Sequence, residues 1–398
     1  MFHRLYENIL KDHFLNEKNM AFLAGPRQSG KTTTACEFES KRNLYLNWDN
    51  QDDRLLLRSK PAKLKEVLSS SHSPKTILIL DEIHKNPQWK GWLKGFYDKY
   101  HKGLKIIVTG SARLDIYKKG GDSLLGRYFL YRHHPLSLGE LHQGAFINQL
   151  FRTPLSTPAS SWEALMSFGG FPQPFFTARK ESHAKWVRMR KELISRQDIR
   201  ELSKIEDLAG VEMLMKILPA RAGGLLSYQN LATDLNVSVD TVRRWIKLLE
   251  SLYYVYLIRP YSKNIKRSLH KTPKLFFWDW SEVLDEGARY ENMIASHLLK
   301  SVHYWTDSGF GDFDLHYLRD KEKREVDFLV TRDEKPFILV EAKKSEKNLS
   351  RDLYYFQELL KPEISVLVSG SLKSVGMPLQ EASSPLPISA ADFCSQIV

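Results

Sequence analysis

Residues 20–33 read MAFLAGPRQSGKTT. An apolar run leads into Gly25-Pro26-Arg27-Gln28-Ser29-Gly30-Lys31-Thr32, which matches G-x-x-x-x-G-K-[ST], and a helix-compatible stretch, TTTACEFESK, follows. A buried strand, a glycine loop and a helix in that order make a phosphate-binding loop. Gly25 and Gly30 allow the backbone to curl so that its N–H groups face phosphate oxygens, while the helix beginning near Lys31 presents its positive end. In this reading Lys31 reaches the β and γ phosphates of ATP and Thr32 offers its hydroxyl to Mg2+. Pro26, Arg27, Gln28, Ser29 and Thr33 complete the cradle.

Such a loop needs a carboxylate at the end of a neighbouring strand, and ILILDE at 77–82 supplies Asp81 and Glu82. Asp81 is expected to hold the Mg2+ shell and Glu82 to polarise an attacking water, which points to hydrolysis rather than passive binding. Arg113 and Arg127 follow the next apolar run. Either can serve as an arginine finger toward a neighbouring subunit of a homo-oligomer, or as an ordinary ion-pair residue.

Around the loop, NLYLNWD, TILILDE, KIIVTGS and RYFLYR alternate with helical stretches such as PAKLKEVLSS and WKGWLKGFYDKY. That βαβ rhythm predicts a parallel sheet covered by helices. The connector FRTPLSTPASS at 151–161 is rich in Ser, Thr and Pro. The expected fold is multidomain α/β, with a P-loop NTPase domain over 1–155, a helical domain over 156–265 and a C-terminal α/β domain over 266–398.

The chain has 398 residues, 42% of them hydrophobic, and only two cysteines, far apart and without metal-ligand spacing. Its apolar runs are far too short to span a bilayer, so a soluble cytoplasmic protein is expected. The formal charge of +12 attracts polyanions, and DNA is the expected partner; a solvated basic surface is the plainer alternative.

Residues 210–260 read as three helices and a strand, the order of a winged helix-turn-helix. Ser227 and Ser238 are N-caps, and Val242, Ile246 and Leu249 form an apolar stripe that leaves Arg243, Arg244 and Lys247 on another face. These three are candidate phosphate contacts; the same module can also pack as a lid. Positive charge concentrates in 178–200 and in RPYSKNIKRSLHKTPK at 259–274, where Lys263, Lys266 and Arg267 are candidate DNA contacts and a solvated linker is the alternative.

In REVDFLVTRDEKPFILVEAKKS, two strand-like runs flank DEKP. A hairpin centred on Glu334 sets Asp327 opposite Glu341, and Lys343 shares Glu341's face two residues on. Two carboxylates beside a lysine can hold Mg2+ and activate water against a phosphodiester.

That D…ExK arrangement resembles the restriction-endonuclease-like superfamily, which implies that Glu291 in YENMIASHLL, at the position of a preceding-helix glutamate, completes the metal shell. More broadly GPRQSGKTT, ILILDEIHK, IIVTGSARLD, GRYFLYRHHPLSLGE and REVDFLV…LVEAKKS resemble prokaryotic AAA-type ATPases with a winged helix and a restriction-endonuclease-like C-terminal domain. The resemblance implies ATP hydrolysis, DNA handling, and a role for Ser111 between the γ-phosphate and the attacking water. His84, His133 and His134 are variations within it. The expected function is an ATPase coupled to a metal-dependent nuclease; the alternative is an ATP-driven switch whose nuclease-like domain only docks.

Overall fold

The computed structural model describes residues 2–38, 40–69, 76–110, 124–142, 149–154, 158–199, 207–262, 272–381 and 385–398. The chain divides into two compact units, residues 1–134 with 144–146, and residues 135–143 with 147–398.

In the first unit β1 (Met20–Ala24), β2 (Asn43–Asn47), β3 (Ile77–Asp81), β4 (Lys105–Gly110) and β5 (Tyr128–Arg132) form a parallel sheet in the order β2-β3-β4-β1-β5. β1 and β3 are buried throughout, as their unbroken apolar runs require, whereas the edge strands β2 and β5 are only partly covered. The helices are α1 (Leu5–Asn16), α2 (Lys31–Glu37), α3 (Gln51–Arg58), α4 (Pro61–Ser69) and α5 (Trp89–Tyr100). One core gathers Phe22 and Leu80 of the sheet with Leu57, Leu64, Trp89, Leu93 and Phe96 of the helices. α1, which the charged N-terminal sequence does not announce, buries Leu5, Tyr6, Ile9 and Leu10.

The second unit begins at Pro135, earlier than the Ser/Thr/Pro-rich connector suggests. The Leu136 amide donates to Gly170 O (2.6 Å), the Leu138 amide donates to His297 Nε2 (3.0 Å), and a buried ammonium adds to these bonds. Lys300 Nζ donates to Pro135 O (3.0 Å), Ser137 Oγ (2.9 Å) and the Glu140 carboxylate (2.5 Å), and both charged side chains are almost fully buried. α6 (Leu138–His142) is thereby held in this unit, followed by α7 (Ala159–Phe168), α8 (Pro172–Thr177), α9 (Lys180–Glu192), α10 (Leu208–Ile217), α11 (Tyr228–Leu235) and α12 (Val239–Ser251).

The strands of this unit are β6 (Val255–Pro260), β7 (Lys274–Phe277), β8 (Phe313–Arg319), β9 (Glu325–Arg332), β10 (Lys335–Lys343), β11 (Ile364–Ser369) and β12 (Leu386–Ser389). They build one sheet in the order β12-β11-β10-β9-β8-β6-β7, flanked by α13 (Glu286–Asp307), α14 (Arg351–Leu360) and α15 (Ala390–Gln396). A boundary at 265 therefore falls between two paired strands of one sheet, β6 and β7. Ser227 and Ser238 cap α11 and α12 as expected, accepting from the amides of Asn230 and Thr241.

The β9–β10 turn is centred between Asp333 and Glu334, both left-handed (φ 49° and 64°), rather than on Glu334 alone. The resulting two-residue hairpin pairs Lys335 with Arg332, and a register shift between Pro336 and Ile338 then pairs Val340 with Phe328. Asp327 and Glu341 are the next facing positions.

Candidate functional site

The loop leaves the C-terminal end of β1 and enters α2 at Lys31. Gln28 and Gly30 both take left-handed backbone (φ 63° and 99°), which turns successive amides inward. Gly25 has no room for a side chain, since a Cβ there would lie 2.1 Å from His133 O. Lys31 Nζ donates to Gly25 O (3.0 Å) and Pro26 O (2.7 Å) and is buried in its own loop.

β4 lies between the loop's strand and the acidic strand, so Asp81 sits two strands away from β1 rather than on its immediate neighbour. Its carboxylate still meets the loop, because Thr32 Oγ1 donates to Asp81 Oδ2 at 2.9 Å. Two further hydroxyls hold it, Tyr45 at 2.9 Å and Thr109 at 2.6 Å. Burial and the Asp81 charge push the Tyr45 phenol far up, so it remains a donor. Neither Thr109 nor Tyr45 is apparent from the sequence: Thr109 faces Asp81 across the β3–β4 pair, and Tyr45 stands on β2 opposite Ile79, two residues before Asp81.

Glu82 follows in a left-handed conformation (φ 55°), an uncommon backbone for a glutamate. His84 Nε2 (3.4 Å) and Lys85 Nζ (3.7 Å) approach its Oε2, which accepts no hydrogen bond. Burial raises its pKa above the usual carboxylate range, with Lys85 opposing and Asp81 reinforcing.

The donor set fits MgATP. Lys31 and the loop amides would hold the phosphates, Thr32 and Asp81 the ion's shell, and the ion would neutralise charge on the transferred phosphoryl group. His133, in sequence no more than a variation, bonds Ser29 Oγ through Nδ1 (3.0 Å) and Thr34 Oγ1 through Nε2 (3.3 Å). Arg4 reinforces the same corner, donating to Ser29 O at 2.5 Å and His134 O at 2.7 Å.

In the second unit Glu291, Asp327, Glu341 and Lys343 come into one neighbourhood with Lys274, which in sequence belongs to a basic run. Lys274, with a side chain 5% exposed, points inward to Glu325 (2.6 Å), Glu291 (3.4 Å) and Asp327 (3.8 Å). Asp327 Oδ2 accepts from the Ala342 amide (2.9 Å) and from Lys343 Nζ (3.4 Å), and Lys343 is 3.9 Å from Glu341. Among the described residues no three His, Cys, Asp or Glu side chains are grouped to hold a metal ion. The expected Mg2+ ligands Asp327 and Glu341 therefore do not fit a divalent ion here: ammonium groups take the space between carboxylates.

On α12 Val242, Trp245, Ile246 and Leu249 are buried, while Arg243, Arg244 and Lys247 are exposed. Lys263, Lys266 and Arg267 lie outside the described residues, as do Ser111 and Arg113. The basic segment 178–200 is partly structural, since Arg190 is buried against Glu282 (3.1 Å) and over the Phe171 ring.

Residues 17–142 match the family model for the AAA domain. Within the matched stretch, Arg127 stands at the N-terminal end of β5, whereas the phosphate loop leaves the C-terminal end of the parallel strand β1. Arg127 is thus no part of the nucleotide site of its own chain, and it forms a bidentate pair with Asp98 (2.7 and 3.0 Å). Residues 159–282 and 286–390 match two domains of unknown function, DUF8612 and DUF4143. An uncharacterised protein of Mycobacterium tuberculosis is 22% identical over 356 residues, covering 85% of this chain and 74% of that protein. Another, from Methanocaldococcus jannaschii, is 23% identical over 359 residues, covering 85% of this chain and 78% of its own length. A variant of Thermotoga maritima RuvB is 18% identical with a TM-score of 0.30, over 63% of this chain and 86% of that one. No helix among the described residues is long and apolar enough to cross a membrane.

Proposed function

We propose that the chain is an ATP-hydrolysing switch that binds DNA through its second unit. The observation that carries hydrolysis is the 2.9 Å bond between Thr32 and Asp81, with Glu82 one residue beyond. It joins the loop's hydroxyl to the acidic strand where the shell of a phosphate-bound Mg2+ belongs. Lys31 and the loop amides bind and orient the phosphates, and Glu82, its carboxylate raised by burial, takes the proton of the attacking water.

DNA binding is supported by α10, α11 and α12 followed by the β6–β7 pair, with an isolated bridge between Leu225 and Lys274 ahead of α11. That order is compatible with a winged helix-turn-helix reading, in which the third helix, α12, would present its exposed Arg243, Arg244 and Lys247. The restriction-endonuclease-like reading of the C-terminal strands is kept for the fold alone: the domain serves as a docking platform, without cleavage. In a homo-oligomer either Arg113 or Arg127 can act as a finger toward the neighbouring subunit's nucleotide, a reading tested first by the size of the protein with and without ATP.

The test is ATPase turnover and DNA binding by the purified chain. Loss of turnover in Lys31→Ala with an intact fold is expected; full turnover in that variant would overturn the reading.

A further inference from the structure

We infer that Lys274 is a built-in replacement for a divalent cation: its ammonium occupies the centre of the acidic cluster, keeps the cluster metal-free, and hides a cation site that its removal would open. Every group involved belongs to the second unit, so this role is independent of ATP hydrolysis.

Lys274 opens β7, and in an extended strand its neighbour Leu275 must face the other way, into the core. β7 is the end strand of the sheet, and Lys274 pairs with Ile258 of β6 and bridges to Leu225. Its backbone is thus fixed on both sides, and the side chain has one direction available, toward β9 and α13. There Glu325 and Asp327 stand on one face of β9, two residues apart, and Glu291 stands on α13.

Three carboxylates from two elements around one buried ammonium form the kind of shell a hard cation uses, except that Nζ at 2.6–3.8 Å replaces a metal at coordination distance. Lysine differs from a metal in that it cannot bring carboxylates closer than hydrogen-bond contact, and that wider spacing agrees with the absence of a three-ligand group among the described residues. Arg319 at 2.6 Å from Glu325 and Lys343 at 3.4 Å from Asp327 add two more cations, so Glu291, Glu325, Asp327 and Glu341 are nearly balanced without any ion. A divalent cation entering would have to sit within a few ångströms of Nζ, where repulsion in a buried site is severe. Glu341 is a further buried carboxylate beside Lys343: it is 5% exposed, Ser350 bonds its carboxylate, and its Oε2 has no hydrogen-bond partner.

The experiment is Mn2+ binding to the full chain without nucleotide, read from the EPR signal of free Mn2+, for the wild type, Asp327→Asn, Lys274→Met, Lys274→Gln, and Lys274→Met combined with Asp327→Asn. Wild type and Asp327→Asn are expected to bind the same amount. Lys274→Met should gain one Mn2+ per chain, and the double variant should lose it again. Lys274→Gln keeps a hydrogen-bond donor toward Glu325 and should show the same gain if Lys274→Met folds poorly. A Mn2+ bound by wild type and lost in Asp327→Asn would overturn the inference, whatever the lysine variants do. So would folded Lys274→Met and Lys274→Gln proteins that gain none. ATPase activity in the same samples separates this result from the nucleotide site, since it should persist in every variant.

Discussion

His133 Nδ1 lies 3.0 Å from Ser29 Oγ, so the imidazole at the end of the first unit's sheet is bonded to the phosphate loop. The other ring nitrogen reaches Thr34, and the ring stacks on Tyr6 at 4.1 Å. One side chain therefore braces the loop and the first turn of α2 together. A hydrogen bond of this kind contributes about 1 kcal/mol. His133→Ala is expected to weaken ATP binding about threefold to tenfold, measured by titration with a fluorescent ATP analogue.

Glu82→Gln removes the proton acceptor while keeping the shape of the side chain. Turnover should fall about 10²–10⁴-fold, with nucleotide affinity nearly unchanged. Steady-state kinetics beside equilibrium binding separates the two effects, and an equal loss in both would assign Glu82 to binding instead.

The pH dependence has a definite sign. A base works ionised, and burial holds the Glu82 carboxyl above its usual range, so it takes up its proton at a higher pH than an exposed glutamate. The turnover rate is expected to decline as pH falls below neutrality, with a midpoint above the ordinary glutamate value. The residual activity of Glu82→Gln should lack that acid limb.

His297 provides a stability test in the second unit. Its Nε2 accepts from the Leu138 amide and its Nδ1 faces Met293 O, so the ring is held neutral, and burial lowers its pKa to about 4. The folded value lies below the unfolded 6.5, so this stabilisation is complete above pH 6.5 and is lost as pH falls toward 4. The loss is about 3 kcal/mol. Thermal melts between pH 7 and pH 4 should fall less steeply in His297→Gln.

Replacing Arg243, Arg244 and Lys247 together by Ala should weaken DNA binding and flatten its salt dependence by about 0.9 in log–log slope for each phosphate that is no longer neutralised. Melting should barely move, because all three are exposed. Trp245→Ala on the buried face of the same helix should cost about 3–5 kcal/mol of stability. Unchanged binding in the triple variant would remove α12 from the DNA surface.

Local chemistry is legible along the chain. Strand, glycine loop and helix at 20–37, the acidic end of β3, and the caps Ser227 and Ser238 rest on contacts within a few residues, which sequence spacing expresses directly. What depends on distant segments is not legible. The insertion of β4 between the loop strand and Asp81 and the placement of Arg127 at the far end of β5 follow from strand order, which no local spacing encodes. In the β9–β10 hairpin the turn and the bulge each depart from a simple count, and the two shifts together leave Asp327 and Glu341 at facing positions. Lys274 shows the limit most clearly. In sequence it closes a cationic run, but pairing of β7 with β6 turns it into the sheet's interior, where three carboxylates make burial of its charge tolerable. The order of residues thus specifies a nucleotide loop and its acidic partner. Which charges meet is set by the folded chain, because a charge's role depends on neighbours brought to it from far along the sequence.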